Sequence, residues 1–370
     1  MLTERRASST CSRAGALLLM SCLSLTGCSA GYLLQAAHGQ WQLLRARQPI
    51  PRVIASESTD ARLRTRLELV SEARDFASRE LDLPDNASYR SYSALHRPYA
   101  VWNVVATPEF SVEPRRWCFP ITGCIAYRGY FREAGARRFA AALAARGDDT
   151  MVAGVSAYST LGYFADPVLD TMLQYGDLQL VGTIFHELAH QLVYVRDDSE
   201  FNEAFAMSVE REGVARWLAA RGRSGELAAW RRRQEQQGQI LDILAAGRAR
   251  VATLYRESAP VPQRRQRKRE LLAAISAELR AYEQPRGLRS GYDAWLDEGL
   301  NNAHLASVAT YFDCLPGFEQ LLAQQSGSLP AYYQAVRELA HSPAARRRAL
   351  CARPPASTGA VPDPVSSPRH

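Results

Sequence analysis

The chain has 370 residues, of which 46% are hydrophobic and 22% charged, so it sits among globular proteins with enough apolar residues for a sizeable core. A net charge of +7 is spread along the chain. Its densest run, RRQRKR at 264–269, lacks interleaved aromatics and reads as a solvated helix face, which argues against nucleic acid as a partner.

Residues 1–27 read as a signal peptide. Arg5, Arg6 and Arg13 precede an apolar run from Ala14 that is too short to span a bilayer. It closes on Leu25-Thr26-Gly27-Cys28, which resembles the bacterial lipobox. The resemblance implies cleavage before Cys28, a lipid on its sulfur, and membrane attachment through that lipid. Ser29, where an aspartate would favour the inner membrane, points to the outer membrane facing the periplasm. A plain secreted protein, cleaved elsewhere, is the alternative. With Cys11 and Cys22 in the signal, four cysteines remain for an oxidising compartment: Cys118, Cys124, Cys314 and Cys351. Cys118 and Cys124 are close, with Pro120 and Gly123 to turn the chain. Their pairing is the first expectation, with Cys314–Cys351 as the remainder and free thiols as the alternative.

In chain order, 31–46 predicts a short helix and tether. Leu63, Leu67, Val70, Ala73 and Phe76 give helical spacing across 58–81, stopped at Leu83-Pro84-Asp85. Strands are predicted at 101–106, 125–131 and 152–158, with an alanine-rich helix at 134–146. A helical stretch follows Pro167 to Gln174, then helices at 178–195 and 202–221. Two long charged segments, 227–255 and 263–282, are separated by APVP at 259–262 and predict an antiparallel hairpin, 224–286 in all. Such an arm could hold a protein partner. Helix is also predicted at 301–323 and 330–339. The tail, 354–370, is rich in Pro, Ser and Gly and reads as disordered. One domain, 28–353, carries the rest. The fold class expected is α+β, helix-dominated, with a zincin-like core.

The chemistry concentrates in FHELAHQ, 185–191. His186 and His190 are one helical turn apart and share a face, where two imidazoles can bind one Zn²⁺. Glu187 would take a proton from the water such a site activates. A catalytic site needs a third protein ligand. One branch of these enzymes places a glycine and a third histidine just downstream, but Val193 and Arg196 stand there. The other branch takes a glutamate from the next helix. Glu203 is thirteen positions after His190, and FNEAFA at 201–206 is similar to the zinc-glutamate motif of gluzincin aminopeptidases, although the loop before it is shorter. Glu210, two turns later, could hold a ligand histidine by its other ring nitrogen. Tyr158, Tyr194 and Tyr311 are candidates for steadying an oxyanion. The strand at 152–158 is a candidate cleft edge for an extended peptide.

The chain resembles a proteobacterial family described as putative aminopeptidases, often lipoproteins. The resemblance rests on RPYAVWNVVATPEF (97–110), WCFPITGCIAYRGYF (117–131), AYSTLGYFADPVLDTM (157–172), FHELAHQLVYV (185–195), FNEAFAMSVEREGVARWL (201–218) and NNAHLASVATYFDCLPGFEQLL (301–322). It implies that His186, His190 and Glu203 are zinc ligands, that Glu187 is the catalytic acid/base, and that the substrate is a peptide. It places Cys118 and Cys124 in a family block, in keeping with their pairing. An aminopeptidase also needs a group for the substrate's free amine; Asp166 and Glu210 are the candidates. An envelope endopeptidase and a non-catalytic lipoprotein scaffold with a structural metal are the rival readings.

Overall fold

The structure is a computed structural model that describes residues 31–119, 122–289 and 291–351. The signal segment, Cys28 and the tail from 354 lie outside the described residues.

Helix α1 (residues 31–45) is followed by β1 (Gln48–Pro49), α2 (Ile50–Ala55) and α3 (Ala61–Glu80). Asp60 caps α3, its Oδ1 accepting from the Leu63 N–H at 2.9 Å. The buried stripe of α3 is Leu67, Val70, Ala73, Phe76 and Ala77, the spacing seen in the sequence. Arg74 is buried in that stripe. It is compatible with burial because its guanidinium donates to the carbonyls of Ser88 (2.9 Å), Pro84 (2.7 Å) and Asn86 (3.0 Å). It thereby fixes the loop that carries Tyr89.

Next come β2 (Ser91–Ser93), β3 (Val101–Thr107), β4 (Trp117–Phe119), β5 (Gly123–Ile125), β6 (Arg128–Tyr130), α4 (Glu133–Ala144), β7 (Asp149–Val155) and β8 (Val168–Leu169). β3 is the centre of an antiparallel sheet, with β6 on one side and β7 on the other. Trp102, Val104 and Ala106 pack on Ala136, Ala140 and Leu143 of α4. Val105 turns to the opposite face and meets Met151 and Ala303. Burial on both faces explains why VWNVVA is apolar at every position but Asn103 rather than alternating. β2 joins β1 antiparallel and β8 parallel in a second small sheet, and β4 pairs with β5.

Three predicted boundaries are corrected among the strands and the segment that follows Pro167, and a fourth among the later helices. The strand expected at 125–131 is two pieces, because β5 belongs to a separate hairpin and β6 starts only at Arg128. The strand expected at 152–158 runs from Asp149 to Val155, in register with β3 from Thr107 to Val101. Its start is masked in sequence by charge: Asp148 is paired with Arg115 and Asp149 with Lys268. The helical stretch after Pro167 is instead β8 followed by a single 3₁₀ turn, Met172–Gln174. Pairing of Val168 with Tyr92 decides this.

The remaining chain is helical: α5 (Asp177–Leu192), α6 (Ser199–Ala220), α7 (Ser224–Arg256), α8 (Val261–Glu283), α9 (Asp293–Glu298), α10 (Asn302–Phe312), α11 (Leu315–Gln324), α12 (Leu329–Ala340) and α13 (Ala344–Leu350). The helix expected across 301–323 breaks between α10 and α11, where Pro316 opens a new first turn and Cys314 bonds to Cys351. α6 is buried on most of its sides, with Phe201, Phe205, Val209, Val214, Trp217 and Leu218 in the core together with the polar Asn202, Glu203 and Ser208. α3, α5, α11 and α12 pack around it in the largest apolar cluster. α7 and α8 lie side by side, and their inner faces also meet Leu305 and Val308 of α10. The Lys268 ammonium donates to Asp149 Oδ2 (2.7 Å) and the Glu109 carbonyl (2.9 Å), which fastens α8 to the sheet. Arg265 pairs with Glu109 and Arg267 with Glu257, so much of the basic run is engaged within the chain. Among the described residues, no helix is long and apolar enough to cross a membrane.

α10 begins at a capping box. Asn301 Oδ1 accepts from the N–H groups of Ala303 and His304, while His304 Nδ1 accepts from the Asn301 N–H at 3.1 Å. Burial lowers the His304 imidazole from 6.5 to about 4. The folded value lies below the unfolded one, so this contribution to stability is full above pH 6.5 and is lost progressively as pH falls from 6.5 to about 4. Urea unfolding should show about 2–3 kcal/mol less stability at pH 4.5 than at pH 7 from this group. His304→Gln, which keeps an acceptor for Asn301, should flatten that limb; an unchanged slope would contradict the assignment.

Candidate metal centre

The last turns of α5 carry His186 and His190, and the first turn of α6 carries Glu203. The connection between them is short and braced at several points. Asn202 closes it from inside: its side-chain oxygen accepts the Val195 N–H, and its amide donates to the Val195 carbonyl, both at 2.7 Å. Asp198 caps α6 through the Phe201 N–H and is held in turn by Arg347 at 2.7 Å. The β4–β5 hairpin, crosslinked by Cys118–Cys124, leans on the loop from outside. The Cys124 N–H donates to Asp197 Oδ1 at 2.5 Å, Arg116 donates to the Asp197 carbonyl, and the Tyr194 hydroxyl donates to the Thr122 carbonyl at 3.2 Å. Gly123 has φ +75°, and a Cβ there would stand 2.3 Å from Asp197 Oδ1. Only glycine permits that contact.

Three donor atoms converge at the centre. His186 Nε2 and His190 Nε2 are 3.2 Å apart, and Glu203 Oε2 lies 3.4 Å from the first and 3.7 Å from the second. Their side chains are 13%, 8% and 11% exposed. A tetrahedral ion with bonds of about 2.0–2.1 Å spaces its ligands roughly 3.3 Å apart, so the triad matches three corners of such a site. The donors also fit chemically: the carboxylate is anionic and both imidazoles direct Nε2 inward. Burial opposes the Glu203 charge, but the imidazoles of His186 and His190 outweigh it and hold its carboxyl at about 2. His186, although burial lowers it, is held well above its ordinary value by Glu203 and Glu210.

Glu210 Oε2 lies 3.1 Å from His186 Nδ1 and fixes that ring from behind. Gly182, one turn before His186, makes room for it: a Cβ at Gly182 would fall 3.0 Å from the Glu210 side chain. His190 has no such support, for its Nδ1 is buried without a hydrogen-bond partner among the described residues.

Glu187 is beside the triad. Burial pushes its carboxyl up, against the pull of His186 and His190. Tyr89 and Asp166 are within electrostatic reach of it. Tyr311 and Tyr127 are within reach of both Glu203 and Glu187. Burial raises both phenols well above their ordinary value, so they remain hydrogen-bond donors at neutral pH. Of the tyrosines chosen from sequence, Tyr311 is therefore at the site. Tyr194 is also near Glu203, but its hydroxyl is engaged with Thr122. Tyr158 packs on Phe131. Tyr127 and Asn202 were not singled out; Asn202 directly precedes Glu203, whereas nothing in the spacing links Tyr127 to α5.

Neither candidate for an amine anchor presents a free carboxylate. Glu210 holds His186. Asp166 is 1% exposed and accepts from the Thr160 N–H at 2.8 Å and hydroxyl at 2.9 Å.

Replacing Glu210 by Gln should weaken Zn²⁺ binding about 10–100-fold in chelator competition, because the His186 ring loses its charged support. Unchanged affinity would show that Glu210 does not orient His186.

A family model described as "Putative aminopeptidase" matches residues 31–351. No curated protein and no solved structure matches the chain. The matched span holds His186, Glu187, His190 and Glu203 together with the hairpin and loop that brace them, and the chain belongs to this aminopeptidase family.

Proposed function

We propose that the protein is a zinc-dependent aminopeptidase with a zincin-like core, lipidated at Cys28 and held at the outer membrane facing the periplasm. The observation that carries the peptidase chemistry is the triad at tetrahedral spacing with Glu187 beside it. Two imidazoles and one carboxylate suit zinc and leave a fourth position open. Zinc held by His186, His190 and Glu203 would polarise the scissile carbonyl and acidify the attacking water. Glu187 accepts the proton of that water and delivers it to the leaving amine, a role favoured by burial that raises its carboxyl. Tyr311 and Tyr127 offer phenolic donors to the oxygen that gains charge. Family membership supports a peptide substrate.

The second reading is an envelope endopeptidase. It is favoured by one observation, that Asp166 and Glu210 are both engaged and leave the substrate amine without an identified acid. A scaffold with a structural metal gives Glu187 no task.

Purified mature chain, loaded with zinc, should shorten free peptides one residue at a time and leave N-acetylated peptides intact, read by mass spectrometry. Glu187→Gln should lower kcat about 10²–10⁴-fold with metal retained. Tyr311→Phe should lower kcat up to about 10³-fold with little change in KM if its hydroxyl meets the developing charge. Internal cuts would move the protein to the endopeptidase reading, and full activity of Glu187→Gln would remove its assigned role. For the anchor, Cys28→Ser should abolish lipid labelling and release the protein from the membrane fraction; unaltered labelling would place the lipid elsewhere or nowhere.

A further inference from the structure

Among the described residues, the exposed large hydrophobic side chains are Leu33, Leu34 and Trp41 on α1, Val261 at the start of α8, and Tyr163 and Phe164 in the turn after β7, at 66% and 51% exposure. The turn is built rather than loose. The Thr160 carbonyl accepts the Tyr163 N–H, and its hydroxyl accepts the Phe164 N–H, both at 3.1 Å. Buried Asp166 ties off the same threonine. The Tyr89 N–H donates to the Asp166 carbonyl at 2.7 Å, and Arg47 donates to the Ala165 carbonyl at 2.9 Å. Leu161 and Gly162, both with positive φ, make the bend. Two aromatic rings are thus displayed on a fixed base, which is unfavourable in water unless something covers them.

The place of this turn says what covers them. Gly162 stands against the Gln191 side chain: a Cβ there would be 3.4 Å away. Gln191 is one helical turn beyond Glu187 on α5, and Asp166 is itself within electrostatic reach of Glu187. The aromatic turn is therefore packed against α5 one helical turn from Glu187, and Asp166 ties its base to the same neighbourhood. Among the described residues, β7 is an edge strand paired with β3 alone, and residues 156–159 lead from it to the turn.

We propose that Tyr163 and Phe164 form the wall of a subsite for an apolar side chain of the substrate peptide, next to the bond that is cut. The proposal rests on the peptidase reading above and names its substrate class: peptides with a bulky apolar residue at that position. An apolar wall selects by the area it removes from water, and each added methylene in such a pocket is worth roughly 10–200-fold in selectivity.

The test uses zinc-loaded mature chain and peptides that differ only in the residue beside the cut, Leu, Phe, Ala or Asp. Wild type should favour Leu and Phe over Ala at least tenfold in kcat/KM. Tyr163→Ala with Phe164→Ala should reduce that ratio about tenfold, mainly through KM, and Tyr163→Phe should keep it. An unchanged ratio, or an equal fall for every peptide, overturns the subsite. Loss of vesicle binding or of self-association with the ratio intact also overturns it, and gives the surface to a bilayer or a second copy. If wild type cleaves none of the peptides, the peptidase reading fails, and calorimetric binding of the same peptides then decides this proposal. Leucyl peptides binding tenfold tighter than alanyl ones, with the difference lost in the double variant, would support the subsite alone. Equal binding, or none, would sink it.

Discussion

A carboxylate from α6 has to sit within 3.7 Å of two imidazoles from α5, with only residues 193–198 between the two helices. Most of what is unusual in the chain serves that constraint. Asn202 locks the connecting loop onto the first turn of α6. The crosslinked hairpin and Arg116 hold it from outside, and Arg347 reaches it from α13. Behind the triad, Phe185, Leu188 and Ala189 of α5 are buried with Phe201, Phe205 and Val209 of α6, so neither helix can rotate without disturbing the core.

The same geometry sets the electrostatics. Buried carboxylates are costly unless paired. Glu203 and Glu210 are compensated by the imidazole of His186, and Glu187 has its carboxyl raised by burial. Buried Arg74 gathers three carbonyls and so places Tyr89 within electrostatic reach of Glu187 and Asp166. Groups with displaced protonation behaviour gather around the triad and Glu187, the pattern expected of a site that moves protons.

Much of the centre was legible because helix geometry is local. A separation of four puts His186 and His190 on one face, and the count from His190 to Glu203 allows a turn and a return. The support for His186 from Glu210 was legible for the same reason. What was not legible depends on pairs distant in sequence. β7 begins at two aspartates whose charges are met by Arg115 and Lys268, so local polarity hides a strand that pairing with β3 creates. Asp166 looks like a free acid near a motif, and only the fold shows it committed to Thr160. Tyr127 arrives at the site through the β5–β6 connection, which no periodicity announces. The 224–286 hairpin is legible as two helices, but its fastening to the body through Lys268 and α10 is not.

The central claim is that His186, His190 and Glu203 together hold one zinc ion. X-ray absorption at the zinc edge, on mature chain loaded with one equivalent, measures this directly. The account predicts one zinc per chain, two imidazole ligands and oxygen in the remaining positions, at about 2.0–2.1 Å, with the imidazole signature halved in His190→Ala. A sulfur shell, absence of imidazole scattering, or a spectrum unchanged by His190→Ala would contradict it.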